Sequence, residues 1–188
     1  MSDSSRTIAA SITALTDALL SDYANGRDID RIEPFSQPDR DVIIDVLAKL
    51  KRLLFPGYFR DPSYRVYSMQ HSLAVLMEDV AFHLGRQIAI ALRLGASVDA
   101  ERARVLDAQA QELTVQFLSR LPEVRALLQT DLDAFFDGDP AATSLDEIII
   151  AYPGIFAIMV NRVAHVLFEL GVPLIPRIMT EHAHSITG

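Results

Sequence analysis

The chain has 188 residues, of which 50% are hydrophobic, and it carries a formal net charge of −8 with a pI of about 5.0. This composition supplies enough apolar material for one domain with a buried core, and it excludes disorder over most of the chain. The acidic balance disfavours non-specific binding to nucleic acid or to an anionic membrane surface, because both require clustered Lys and Arg side chains.

The sequence contains no cysteine, which excludes disulfides, thiolate nucleophiles and Cys-ligated zinc and fits a reducing cytoplasm. Its start, MSDSSRTIAASITALTDALL, lacks the basic residues and the unbroken apolar run of a signal peptide. No segment approaches the ~20 uninterrupted apolar residues of a membrane span. We therefore expect a cytoplasmic protein.

Apolar residues recur at helical spacing along nearly the whole chain, which predicts an all-α, multi-helix bundle. A first helix with apolar positions from 8 to 19 should end near Gly26, and a second should cover 42–54 before Pro56-Gly57. The long apolar stretch 63–94 is predicted to be the central buried helix, closed by Gly95.

The second half of the chain shows clearer start and stop signals. Ser97 is predicted to cap the next helix, and Leu121-Pro122 to start another that runs to Phe136. The turn signal at 137–140 predicts a boundary between an N-terminal bundle, 1–136, and a helical segment, 137–188. Within that segment, Ser144 and Glu147 match a capping box, and a helix over 155–170 should end at Gly171.

The usual nucleotide, phosphate, zinc-protease and serine-hydrolase motifs are absent, so the candidate residues are few. Glu181 and His184 stand at the Glu-x-x-His spacing of di-iron bundles, but such a site needs two of these pairs and further glutamates. Asp79 and His83, at i and i+4, supply too few ligands for a metal centre. We therefore predict no metal site.

The helix over 155–170 carries a polar stripe that allows two interpretations. Asn161, Arg162, His165 and Glu169 lie within about 100° on a helical wheel. They form either a ladder of surface pairs, with Arg162 and His165 close to Glu169 or its neighbours, or one edge of a substrate site.

Asp139 before Pro140 also allows two interpretations. Aspartate followed by proline is typical of a helix N-cap with proline at the first helical position. The same carboxylate at a loop tip would be free to receive a cationic group of a substrate.

Four motifs in residues 139–188 together resemble the segment of serine acetyltransferases that leads into the catalytic domain. The order and the spacings fit that family without a gap, although the family commonly has a tyrosine where this chain has Asn161. The earlier residues resemble the family only generally, as a helical bundle. The motifs are Asp139-Pro140-Ala141-Ala142, Tyr152-Pro153-Gly154, Asn161-Arg162-Val163-Ala164-His165 and GVPLIPRIMTEHAHSITG.

The resemblance implies that a left-handed parallel β-helix of hexapeptide repeats follows Gly188, binds the co-substrate acetyl-CoA and supplies the catalytic histidine and its aspartate. The implied reaction transfers acetyl to the hydroxyl of L-serine and gives O-acetylserine for cysteine biosynthesis. This chain would then be inactive alone, bind no cofactor and contain no catalytic residue. None of its histidines occupies the family's base position: His71, His83, His165, His182 and His184.

The resemblance also implies roles for particular residues and partners. Asp139 would line the amino-acid site and pair with the serine ammonium, with Arg162 and His165 as candidate supporting residues. The helical region would assemble trimers into hexamers, and a C-terminal tail outside this chain would bind O-acetylserine sulfhydrylase. The competing interpretation is a stand-alone helical interaction or scaffold domain, which gives no reason for the motif series at 139–188.

Overall fold

The computed structural model describes residues 3–30, 36–59, 68–94 and 98–188. These residues form eight helices and no β-strand, which confirms the predicted all-α class. The chain divides into two compact units, Met1–Pro34 and Phe35–Gly188, and the boundary near residue 137 stays a prediction. The helices are α1 (Asp3–Tyr23), α2 (Arg40–Leu54), α3 (Met69–Arg93), α4 (Ala100–Ser119), α5 (Leu121–Gly138), α6 (Leu145–Ala151), α7 (Pro153–Glu169) and α8 (Ile175–Thr187).

The N-terminal unit, Met1–Pro34, contains α1 and the turn that follows it. The predicted apolar stripe lies along one side of α1, and its four aliphatic side chains are each more than half exposed: Ile8, Ile12, Leu15 and Leu19. Beyond the helix, Arg27 forms ion pairs with Asp22 and Asp30. This helix therefore presents an apolar surface.

The main unit, Phe35–Gly188, begins with a capped helix. The Asp39 carboxylate accepts the backbone N–H groups of Asp41 and Val42, two of the donors that the first turn of a helix leaves free. The backbone N–H of Asp39 donates in turn to Oε1 of the buried Gln87 at 2.7 Å, which joins the start of α2 to α3.

The core of the main unit is centred on α2 and α7, against which α3, α5 and α8 pack. Each of these two helices buries one apolar side completely, because its apolar residues recur every three or four positions. The fully buried side chains there are Ile43, Val46, Leu50, Met159, Val160, Val163 and Leu167.

The prediction that the stretch 63–94 forms the central buried helix is wrong. Its residues 63–67 lie outside the described part of the chain, and α3 buries mainly its second half, from Val80 onward. Met69 and Phe82 are 68% and 64% exposed. An apolar sequence does not by itself decide how much of a helix its neighbours cover, and here the contacts of α3 are mainly with α2 and α4.

The start of α4 also differs from the prediction. Ser97, like Gly95, lies outside the described residues. The helix is capped instead by Asp99, whose carboxylate accepts the N–H of Arg102 at 2.7 Å. Aspartate caps a helix about as well as serine, so the residue type at Ser97 did not by itself fix where the helix starts.

The predicted stop of α7 at Gly171 is confirmed. Gly171 has a φ of 75°, and the N–H groups of Gly171 and Val172 donate to the carbonyls of Phe168 and Leu167, as in a Schellman motif. A tight turn then precedes α8: Leu174 has a φ of 60°, and the N–H of Ile175 donates to the carbonyl of Pro173. This γ-turn places α8 against α7 and α2.

Among the described residues, no single helix combines the length and the apolarity needed to cross a membrane. The two consecutive helices α6 and α7 together have the required length and apolarity, but they are bent by 79° where they meet.

Candidate functional site

Asp139 lies at the C-terminal end of α5, where its backbone N–H donates to the carbonyl of Phe135 at 3.1 Å. Residues 140–144 form a turn, and the next helix starts later, with Ser144 as its N-cap. The interpretation of Asp139 as an N-cap followed by a helical Pro140 is therefore wrong. The carboxylate stabilises a turn instead, because its Oδ1 accepts the N–H of Ala141 at 2.9 Å.

The second carboxylate oxygen of Asp139 accepts a hydrogen bond from the Tyr152 hydroxyl, at 2.7 Å. This bond lowers the pKa of Asp139 below its usual value, and the bond from Ala141 adds a smaller lowering. The same contact raises the pKa of Tyr152 to about 12, since the hydroxyl donates to a negative group. At neutral pH the pair is therefore a neutral phenol held on a charged carboxylate.

Packing between α5 and the start of α7 holds Tyr152 in this position. The rings of Phe135 and Tyr152 meet edge to face, with centroids 6.4 Å apart. Pro153 opens α7, and Gly154 follows where a side chain would collide with Phe135, since an added Cβ would lie 3.0 Å from Cζ of that ring. All three residues of the Tyr152-Pro153-Gly154 motif thus contribute to placing one hydroxyl beside Asp139.

Further hydrogen bonds fix the turn that follows Asp139. Ser144 Oγ accepts the N–H of Glu147 at 3.1 Å, as the capping box predicts. The Glu147 carboxylate, however, accepts two hydrogen bonds from Thr143, one from its backbone N–H at 2.8 Å and one from its hydroxyl at 2.6 Å. The two bonds from Thr143, the hydroxyl first, lower the pKa of the Glu147 carboxyl. At the start of α6, Asp146 accepts a hydrogen bond from the hydroxyl of Tyr58.

The polar stripe of α7 is engaged in pairs rather than aimed at Asp139. Arg162 holds Asp131 of α5 through two hydrogen bonds of 2.8 and 3.0 Å, whereas the ladder interpretation expected a partner at Glu169 or its neighbours. His165 does pair with Glu169, at 3.2 Å, and Arg120 meets the same carboxylate. Within the described residues, neither Arg162 nor His165 bonds to Asp139.

Two surface grooves lie along α7. The larger, of about 640 Å³, lies between α7 and α8, and its polar lining includes Asn161, His165, Arg177 and Thr180. The smaller, of about 420 Å³, lies beside α5 and includes Asp131, Asn161 and Arg162. Asp139 lines neither of these two grooves.

The other candidate clusters are ion pairs and packed side chains. Glu181 pairs with Arg177 at 2.8 Å, and His182 lies edge-on to Phe156, while His184 is exposed in the last turn of α8. Asp79 bridges Lys49 and His83. In the part of the chain that the structure describes, no three His, Asp or Glu side chains are grouped so that they would hold a metal ion.

Sequence reasoning named Asp139 but missed its partner, and it missed the partner of Arg162. Tyr152 is 13 residues from Asp139, and Asp131 is 31 residues from Arg162, each on a different element. A signal near Tyr152 was the following Pro153, since proline is typical of the first turn of a helix.

Comparison with known proteins supplies the wider context. No family model matches the chain. A Synechococcus elongatus protein named serine acetyltransferase, plasmid, is 39% identical over 155 residues, which cover 80% of this chain and 48% of that protein. The serine acetyltransferase of Bacillus subtilis is 37% identical over 62 residues, which cover 33% of this chain and 29% of that protein.

Solved structures agree with these relatives. Entamoeba histolytica serine acetyltransferase 1 in complex with L-cysteine superposes with a TM-score of 0.60 at 30% identity, covering 75% of this chain and 46% of that one. The native form of that enzyme gives the same TM-score at 28% identity, covering 93% and 59%. The chain thus spans about half the length of its most extensive matches. The resemblance carried by the four motifs is confirmed, and in sequence and in fold this chain is related to the helical part of the serine acetyltransferases.

Proposed function

We propose that this chain is the helical N-terminal region of a serine O-acetyltransferase, which transfers acetyl from acetyl-CoA to L-serine and gives O-acetylserine for cysteine biosynthesis. The match to the Synechococcus relative over 80% of the chain is the observation that carries this proposal. The acetyl-CoA site, the catalytic base, the contact with O-acetylserine sulfhydrylase and the cytoplasmic location belong to the same proposal, for the whole protein.

Within this proposal, Asp139 binds the ammonium group of serine. Its carboxylate is charged at neutral pH, is partly exposed, and has one fixed donor on each oxygen. A carboxylate offers about four acceptor positions, so each oxygen keeps one for a substrate. An ammonium group brings three donors and a positive charge, which match an anionic acceptor.

Substitution of Asp139 in the full-length gene product tests this role. Asp139→Asn keeps an oxygen for the N–H of Ala141 but removes the charge. The KM for L-serine should rise on the order of ten- to a hundredfold, because a charge-assisted contact is lost, while the KM for acetyl-CoA stays unchanged. The control is Asp137→Asn, which removes the same charge from an exposed position two residues earlier.

Equal KM values for serine in wild type, Asp139→Asn and Asp137→Asn would refute the assignment. Release of the CoA thiol from acetyl-CoA, followed with L-serine present, tests the activity itself. The 188-residue chain alone should give only the background rate, and the full-length product should turn over. A gene without [LIV]-G-x-x-x-x repeats after Gly188, together with an inactive product, would favour the stand-alone interaction domain instead.

The proposal includes self-association through the N-terminal helical region, residues 1–136. The exposed aliphatic side of α1 supports it, since monomeric proteins rarely leave a continuous apolar strip in water. Sedimentation should give a mass above 20.8 kDa. Leu15→Glu should lower that mass, whereas Ala10→Glu, on the opposite side of α1, should not. A strictly monomeric wild-type chain at high concentration would contradict this part.

A further inference from the structure

Two tyrosine–aspartate pairs hold the segment from Asp139 to Asp146. Tyr152 donates to Asp139 at the first end, and Tyr58 donates to Asp146 at the other. Only the first pair involves the carboxylate assigned to the substrate. We propose that Tyr152 is a positioning residue for serine binding, whose hydroxyl fixes the orientation of the Asp139 carboxylate. This inference rests on the proposed role of Asp139.

A single hydrogen bond would not orient this carboxylate. The terminal torsion of an aspartate side chain is broad, so one donor leaves the carboxylate plane free to rotate. Asp139 has two donors on different oxygens: the N–H of Ala141 on Oδ1 at 2.9 Å and the hydroxyl of Tyr152 on Oδ2 at 2.7 Å. Together they fix the plane, and with it the direction of the free acceptor positions.

The hydroxyl is itself rigidly placed. Tyr152 precedes the proline that opens α7, and its ring meets Phe135 at an interplanar angle of 86°. Phe135 lies one turn before Asp139 on α5, and its carbonyl accepts the backbone N–H of Asp139. The donor and the acceptor are therefore tied to the same packed contact between α5 and α7, so no mobile side chain has to be ordered when a substrate binds.

The charges around Asp139 favour the same role. Among the described residues, the titratable groups that interact with it are Tyr152, between α6 and α7, and Glu147 on α6. Glu147 is a charged carboxylate that accepts from Thr143, and an ionised carboxylate has no donor to offer Asp139. Without the Tyr152 hydroxyl, the carboxylate would keep a single fixed donor beside a like charge, and its pKa would rise.

Tyr152→Phe in the full-length gene product tests the inference. The variant keeps the ring that packs against Phe135, so the fold is retained. The KM for L-serine should rise by up to about tenfold, because the carboxylate would no longer be held in the orientation that accepts the ammonium group, while the KM for acetyl-CoA stays the same. In the pH profile of kcat/KM for serine, the acid limb should move to higher pH, because the pKa of Asp139 rises when the Tyr152 hydroxyl is removed. Tyr58→Phe is the matched control, since it removes the same group from the pair at Asp146, and its serine KM should stay within about twofold.

A second readout does not depend on activity. In the 188-residue chain, an NMR titration of the Asp139 carboxyl carbon should show a higher pKa in Tyr152→Phe than in wild type or Tyr58→Phe. The positioning role would be overturned if Tyr152→Phe left the serine KM and the acid limb unchanged while Asp139→Asn raised the serine KM. The proposed function would still stand in that case. No effect of Asp139→Asn would remove the proposed site, and this inference with it.

Discussion

Replacing Gly154 by alanine should destabilise the main unit, although alanine is the better helix former. Gly154 lies in the first turn of α7, beside the ring of Phe135. An added Cβ would lie 3.0 Å from Cζ and 3.3 Å from Cε1 of that ring. Carbon atoms in contact prefer about 3.5–4.0 Å, so the ring must retreat by roughly 0.5 Å.

Two effects of opposite sign decide the size of the change. Overpacking of this kind costs about 1–3 kcal/mol, and the lower end applies because Phe135 is only partly buried and its ring has some room to move. Glycine to alanine gains at most about 1 kcal/mol in the interior of a helix, and less at Gly154, which lies in the first turn of α7. We therefore expect a net loss of about 0.3–1 kcal/mol in the free energy of unfolding.

Urea unfolding of the purified chain, followed by circular dichroism, measures this change. Gly138→Ala is the control: nothing lies within 4 Å of an added Cβ there, so it should be neutral or stabilising by up to about 1 kcal/mol. In a double-mutant cycle, Phe135→Leu should make room for the methyl group, with a favourable coupling of about 1 kcal/mol. A stabilised Gly154→Ala, or strictly additive changes in the cycle, would refute the reasoning.

Three further outcomes are expected. Phe117 is completely buried, so Phe117→Ala should lower the free energy of unfolding by about 3–5 kcal/mol in urea. Ser144→Ala removes the acceptor for the N–H of Glu147 and should cost about 1 kcal/mol, whereas Ser144→Asp should restore most of it. Burial, and then the charge of Arg40, lower the pKa of His182 below 6.5, so the unfolded state binds the proton more readily. Stability should therefore fall as the pH drops below 6.5, and His182→Gln should flatten that fall in unfolding measurements made across the range.

The sequence by itself determined the all-α class and many of the helix ends. The Schellman stop at Gly171 and the cap at Ser144 were readable because each depends on residues within about one helical turn. The resemblance carried by four short motifs was readable for the same reason, since each motif is continuous in sequence. The start of α7 was predicted at residue 155, whereas the helix begins at Pro153, since proline suits the first turn of a helix. The predicted cap of α4 at Ser97 differed from the observed cap at Asp99, because aspartate caps a helix as well as serine does.

The tertiary structure alone decided which residues meet across helices. Asp139 and Tyr152 are 13 residues apart, and the phenol reaches the carboxylate where Phe135 packs against Gly154. Arg162 has Glu169 on its own helix, yet it binds Asp131 of α5. Contacts with neighbouring helices likewise decided that α3 is buried mainly in its second half. Local propensity acts within one turn of chain, whereas these contacts depend on the angle and the depth at which two helices pack, which no single segment encodes.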